Sequence, residues 1–256
     1  MLSAVIAGWA GAAACAPAAQ VKPSIYAAVF GDQRSAAPEI TTEEMKALLT
    51  ERKAIVFDAR PEIEFAIAHI PGSINLDERR LGRFAQTYAD RAAAMVVYSN
   101  GPFCDLARTK SEALARMGYT RVSRYQLGLP LWRLLGNAAE TNLEGFRELY
   151  LSRNAVIVDA RSRAEYVAGT VPTAQSILAG EAGKAKQDRR LRYLDPNTRI
   201  VVFANDARAA RGVAEEISRN AFPNSSYFGG TYADLKRAKF FVEREPSPHF
   251  LGGLTR

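Results

Sequence analysis

The sequence predicts an α/β protein made of two similar domains, each a parallel sheet flanked by helices. Three observations predict this. The chain has 256 residues, the length of one large domain or two of ordinary size. Short apolar runs rich in β-branched residues alternate with helically spaced segments, the pattern of a parallel sheet covered on both faces. The pattern also occurs twice, at an offset near 100 residues.

Residues 1–38 read as leader and linker, because the first 21 carry no charged side chain and 13 alanines precede Pro38. Ala4 to Ala14 form an apolar run, too short to span a bilayer alone, that ends in small residues and Pro17. This is the outline of a secretory signal, without a Lys or Arg ahead of it. Ala16-Pro17-Ala18 offers a cleavage site. Cys15, after Ala12-Ala13-Ala14, offers instead a lipid anchor of the bacterial lipoprotein kind, with Ala12 where leucine is usual. Either route predicts a protein in, or anchored facing, the periplasm. A floppy leader on a cytoplasmic protein is the alternative.

The first repeat is expected over 39–138, the second over 139–247, and a tail over 248–256. Thr41 with Glu44, and Thr141 with Glu144, each read as a capping box opening a helix. Leu48-Leu49 and Leu149-Tyr150 fall at matching places in the two helices. Ile55-Val-Phe-Asp58-Ala-Arg60 answers Val156-Ile-Val-Asp159-Ala-Arg161, each a buried strand delivering an aspartate to its C-terminal end. Glu64-Phe65 answers Glu165-Tyr166, and Ile70-Pro71 answers Val171-Pro172. The strand Met95–Tyr98 answers Ile200–Phe203, and Gly128 answers Gly230. Helices are expected over 106–117, stopped by Gly118, and over 209–219. Ligands of parallel sheets bind beyond the strands' C-terminal ends, so the loops after Tyr98 and Phe203 are where chemistry is expected.

Composition narrows the function classes. With 48% hydrophobic and 24% charged residues the chain is globular, not disordered, collagenous or coiled-coil. Two cysteines and two histidines build neither a disulfide scaffold nor a four-cysteine zinc site, and no metal or cofactor is expected. The net charge of +7 favours anionic ligands. The clusters Glu78-Arg79-Arg80 and Lys184 to Arg192 lack interleaved aromatics, so nucleic-acid binding is not expected.

The string Asp58-Ala-Arg60, Glu64-Phe65 and His69-Ile70-Pro71-Gly72-Ser73-Ile74-Asn75 resembles the early signature of the rhodanese (thiosulfate sulfurtransferase) family. Val96-Val97-Tyr98, a loop, a helix, Gly118-Tyr119 and Gly128 with Trp132 resemble its later half. The second repeat resembles it through Asp159-Ala-Arg161, Glu165-Tyr166 and Pro172, so the likeness covers roughly 39 to 245 as a tandem pair. The resemblance implies a persulfide mechanism. A loop cysteine, its thiolate held by backbone N–H groups and a helix N-terminus, takes sulfur from a donor such as thiosulfate and hands it to a thiol or other acceptor.

The sequence departs from that pattern at the nucleophile. The usual cysteine position holds Ser99 in the first repeat and Ala204 in the second, whose loop Ala204-Asn205-Asp206-Ala207-Arg208 has no thiol. The first loop, Ser99 to Thr109, is about three residues longer and carries Cys104 after Gly101-Pro102-Phe103, as in a family subgroup with a Gly-Pro-aromatic-Cys segment. Cys104 is therefore the candidate sulfur carrier, and the alternative is a half-buried loop cysteine. Asn100, Gly101, Phe103, Asp105, Leu106, Arg108 and Thr109 are the candidate substrate contacts, with Arg108 and Thr109 placed for a sulfonate group. Asp58, Arg60, Glu64, His69, Asp159 and Arg161 are expected to be structural, and Trp132 to pack in the core.

A serine-hydrolase role for Ser99 would need a base, and the resemblance implies that His69 sits at a structural turn. The family's phosphatase relatives place an arginine six residues past the cysteine, where Lys110 stands here. The leading expectation is a sulfurtransferase taking sulfur from a small anionic donor, with a thiol or protein as acceptor. A rhodanese-like binding module for a protein or small anion is the alternative, and an exported sulfur carrier a third.

Overall fold

The computed structural model describes residues 37–191 and 198–241. The leader with Cys15, Arg192 at the end of the second basic cluster, and the 248–256 tail lie outside the described residues.

In the first repeat the order is α1 (Thr42–Thr50), β1 (Ile55–Asp58), α2 (Glu62–Ile67), β2 (Ile74–Asn75), α3 (Glu78–Gly82), α4 (Phe84–Thr87), β3 (Met95–Tyr98), α5 (Leu106–Arg116), β4 (Val122–Tyr125) and α6 (Gly128–Leu134). The second repeat continues with β5 (Ala139–Thr141), α7 (Leu143–Leu151), β6 (Ala155–Asp159), α8 (Arg163–Ala168), β7 (Gln175–Ser176), α9 (Ala182–Gln187), β8 (Arg199–Phe203), α10 (Ala207–Arg219), β9 (Ser225–Phe228) and α11 (Tyr232–Arg237). The first sheet is ordered β2-β1-β3-β4 and the second β5-β9-β8-β6-β7, with every pairing parallel.

Period-two alternation gives each sheet two cores. Val56, Val96 and Tyr98 point to one side with Met45, Leu129 and Trp132, while Phe57, Met95 and Val97 point to the other with Phe84, Leu114 and Tyr119. In the second sheet Val158, Ile200 and Val202 meet Val213 and Ile217, and Ile157, Val201 and Phe203 meet Phe146 and Leu235. Both faces are buried, which is why these strands read as unbroken apolar runs. Trp132 is core as expected, and its Nε1 donates to the Ala138 carbonyl at 3.3 Å.

Helix starts follow local capping, and here the structure corrects the sequence reading. Thr41 and Glu44 form the expected capping box. Thr141 does not: it ends β5, and its hydroxyl bonds the Ile67 carbonyl and Ser226, both at 2.8 Å. Asn142 caps α7 through the Gly145 amide, because a side chain already bonded inside the sheet cannot turn back to the helix. The helix expected from 209 begins at Ala207, where the Asp206 carboxylate accepts from the Ala209 amide.

The two halves meet through the backbone. His69 and Glu140 exchange N–H···O bonds of 2.9 and 2.8 Å, and the Asn142 amide donates to Ala66 at 3.0 Å. Here α2 and α7 approach so closely that a Cβ on Gly145 would stand 1.9 Å from the Ala66 carbonyl oxygen.

Candidate functional site

From β1 the chain crosses to β2 on one side, and from β3 to β4 on the other. The loops after β1 and β3 therefore diverge, opening the crevice in which α/β sheets bind ligands. The β3 loop, Ser99 to Asp105, lies there.

Its foundation is a buried ion pair. Arg60 Nε and Nη2 donate to the two Asp58 carboxylate oxygens at 2.9 and 2.5 Å, and Nη2 also donates to the Ala68 carbonyl at 2.6 Å. Both side chains are almost fully buried. Burial opposes the Arg60 charge, but the Asp58 carboxylate more than offsets it and raises the guanidinium pKa. Glu64, one turn along α2, accepts from Asn100 Nδ2 at 2.8 Å, while Arg60 Nη1 donates to Asn100 Oδ1 at 3.4 Å. Asn100 thus ties the loop to the ion pair. Asp58, Arg60 and Glu64 are joined with Asn100 in one network by these bonds.

The loop's other side is held by close backbone approach. Leu129 N donates to Ser99 O at 3.0 Å, and a Cβ on Gly128 would fall 2.3 Å from that same oxygen. Gly128 has φ +64°, and Gly101 has φ +99°, a conformation that favours glycine. A turn closes from Gly101 O to the Cys104 amide at 3.0 Å. Ser99, at the usual nucleophile position, is buried, and its hydroxyl donates to the Cys104 carbonyl at 3.4 Å.

Cys104 emerges half-buried from this turn, just ahead of α5. With Asn100, Phe103, Asp105, Leu106 and Thr109 it lines an open cavity of about 520 Å³. Arg108 does not line it: its guanidinium sits between Asp105 at 3.1 Å and Glu112 at 3.6 Å. Asp105 makes no side-chain cap to α5, so the first amides of that helix face the loop without a carboxylate on them.

The second repeat keeps the foundation and lacks the rest. Arg161 binds Asp159 at 2.7 Å and the Gly169 carbonyl at 2.6 Å, and Asn205 donates to Glu165 at 2.6 Å. Glu165 is held below the usual carboxylate range by its bonds from Ser162 and then Asn205. Only Ala204, Asn205 and Asp206 separate β8 from α10, four residues fewer than the seven between β3 and α5, where about three were expected. The bond from Tyr232 N to Ala204 O, at 2.9 Å, repeats that from Leu129 to Ser99, so Thr231 and not Gly230 stands where Gly128 does. With no Gly101 approaching, a side chain is tolerated there.

Sequence reasoning passed over two features. Tyr98, whose hydroxyl accepts from the Ile70 amide and bonds Ser73, both at 2.9 Å, is replaced in the second half by Phe203 against Ala174. The second is the His69–Glu140 junction. The His69 ring stacks on Phe65 at 3.9 Å, its Nδ1 donates to the Phe65 carbonyl at 2.8 Å, and its Nε2 lies 3.9 Å from Glu140. Only the pairing of the first half with the second brings Glu140 there. Among the described residues no cluster of metal-ligating side chains occurs, and no helix is long and apolar enough to cross a membrane.

Two parallel sheets in tandem, each with an Asp–Arg pair beneath the loop at its switch point, define a duplicated α/β protein. The rhodanese-like domain model matches residues 41–135 and again 144–238, and the chain belongs to that family. It is 36% identical over 93 residues to the HTH-type transcriptional regulator Rv0324 of Mycobacterium tuberculosis, covering 35% of this chain and 40% of that one. Among solved structures it is similar to a thiosulfate sulfurtransferase from Pseudomonas aeruginosa, at 22% identity and a TM-score of 0.35 over 82% of this chain and 44% of that one. It is also similar to the 3-mercaptopyruvate sulfotransferase SseA of Escherichia coli, at 16% identity and a TM-score of 0.36 over 77% of this chain and 99% of that one. The chain thus spans under half the length of the regulator and of the Pseudomonas enzyme.

Proposed function

We propose that this protein is a sulfurtransferase that carries sulfane sulfur as a persulfide on Cys104 and passes it to an acceptor thiol. The observation that carries the reading is the contrast between the two loops. Cys104 lines an open cavity at the start of α5, whose first amides bear no capping carboxylate. At the matching helix, α10, there is no thiol, and the Asp206 carboxylate accepts from the Ala209 amide. Unoccupied amides at a helix start favour a thiolate or persulfide anion, and a carboxylate already bound there competes with one. The second half therefore serves as a partner domain without sulfur chemistry of its own. The thiosulfate-type donor expected from the sequence meets a lining that holds no cation, so the choice of donor is a separate matter from the identity of the carrier.

The test is the intact mass of the wild type and of Cys104→Ser after incubation with inorganic polysulfide and, separately, with thiosulfate. A gain of one sulfur on the wild type alone, removed by excess thiol or cyanide, is the expected result. No adduct from either donor would instead support a binding module.

A further inference from the structure

A second cavity, of about 640 Å³, opens at the opposite end of the first sheet. Ala54, which lines it, precedes β1, whereas Cys104 follows β3, and these two strands run parallel. Its polar wall comes from both halves: Lys46 and Thr50 of α1, Arg52 of the turn after it, and Arg211 of α10. Leu49, Ala54 and Trp132 supply an apolar wall, and no carboxylate is in the lining. Among the described residues the side chains of Lys46 and Arg52 make no ion pair or hydrogen bond. Glu51, beside Arg52, is paired with Lys53 at 2.5 Å. Arg211 commits its Nε to Glu215 at 2.8 Å and leaves its two Nη groups without a hydrogen bond. The carbonyls that would repel an anion are already taken. Arg52 N and Lys53 N close the end of α1 onto Leu49 O and Leu48 O at 3.4 and 3.0 Å. Past the end of α6, Asn137 N and Nδ2 both donate to Trp132 O, at 3.3 and 2.9 Å. Charges of one sign around a concave, partly apolar wall focus their field on whatever fills it.

We infer that this cavity binds an organic phosphate, its phosphate group held by Lys46, Arg52 and Arg211 and its organic group set against Leu49, Ala54 and Trp132. Charge selects the phosphate, because a dianion meets three cations and the flat guanidinium forks match its oxygens. Size selects the organic group. A cavity of about 640 Å³ falls among small-molecule sites, which span roughly 300–1,000 Å³, and a bare phosphate would leave most of it to water. None of Ala204 to Arg208, the thiol-free loop, lines this cavity, and neither does Cys104. The inference therefore stands whether or not Cys104 carries sulfur. Arg211 belongs to the second half and Lys46 and Arg52 to the first, so a bound ligand ties the halves together in addition to the His69–Glu140 bonds.

The test is isothermal titration of the full chain with AMP, phenyl phosphate and inorganic phosphate, at low and at moderate salt. The two organic phosphates should bind about fivefold or more tightly than inorganic phosphate, since only they cover the apolar wall. Each should raise the melting temperature with its concentration. Arg52→Asn, Lys46→Gln and Arg211→Gln should each weaken AMP about fivefold, and added salt should weaken it further. Arg52 has φ +52°, a conformation that asparagine adopts readily, so Arg52→Asn keeps the helix end intact. Lys186→Gln takes the same charge from an exposed site on α9 and should leave AMP binding unchanged. Binding of neither organic phosphate overturns the inference. So does an equal loss in Lys186→Gln, which would make the attraction a property of the whole basic surface. Inorganic phosphate bound as tightly as AMP overturns it too, leaving an ion site without a place for an organic group.

Discussion

His69 shows how one ring can be held at the seam between two halves of a chain. Its ring is buried between Phe65 and the second half of the chain, and burial lowers its pKa despite the Phe65 carbonyl and the nearby Glu140 carboxylate, which act to raise it. A histidine with a lowered folded-state pKa is neutral in the native protein at pH values where the unfolded chain already takes up a proton. Its stabilising contribution is therefore present above about pH 6.5, the ordinary histidine value, and is lost as the pH falls through the folded pKa. Urea denaturation should show stability dropping between pH 7 and 5, and His69→Gln should flatten that slope. An unchanged slope would assign the loss to other groups. The signature string around His69 was legible in the sequence because it is local, whereas Glu140 lies 71 positions away and nothing local announces the pairing.

At the scale of elements, the two loop–helix junctions differ more than their sequences suggest. Both α5 and α10 are preceded by an aspartate, yet Asp206 caps its helix and Asp105 does not. Asp105 has αR backbone angles, φ −73° and ψ −10°, whereas Asp206 is extended, the conformation that brings a cap side chain over the first amides. Asp206→Ala should then cost about 1 kcal/mol in thermal or urea unfolding. Asp105→Ala, which breaks only an exposed pair with Arg108, should cost no more than about 0.5 kcal/mol. Strands β1, β3, β6 and β8 and helices α1, α5, α7 and α10 were readable because periodicity and β-branched runs report burial directly, whereas β4, β5 and β9 were not anticipated. The caps were half-readable: Thr41 and Thr141 carry the same short motif, and only the sheet contact of Thr141 separates them. The two-residue strands β2 and β7 left no periodic trace at all.

At the scale of the molecule, the halves are coupled where α2 crosses α7, and Gly145 permits the crossing. Any side chain there meets the Ala66 backbone, which cannot rotate away as a side chain could. Gly145→Ala should destabilise the protein by about 3 kcal/mol, as overpacking does. Calorimetry should resolve two unfolding transitions for this variant and one for the wild type, since the crossing joins the two cores. A single transition at the wild-type midpoint would mean that the helices slide apart freely. The duplication also has a consequence for engineering. The second half keeps its Asp159–Arg161 and Glu165–Asn205 bonds with a loop four residues shorter and no thiol, so the scaffold accepts loops of different length between β8 and α10 provided the asparagine anchor is kept. A graft of Ser99–Asp105 into that slot would find its anchoring asparagine partner, Glu165, already in place. It would be blocked by one residue, Thr231, which would have to become glycine to admit the incoming turn.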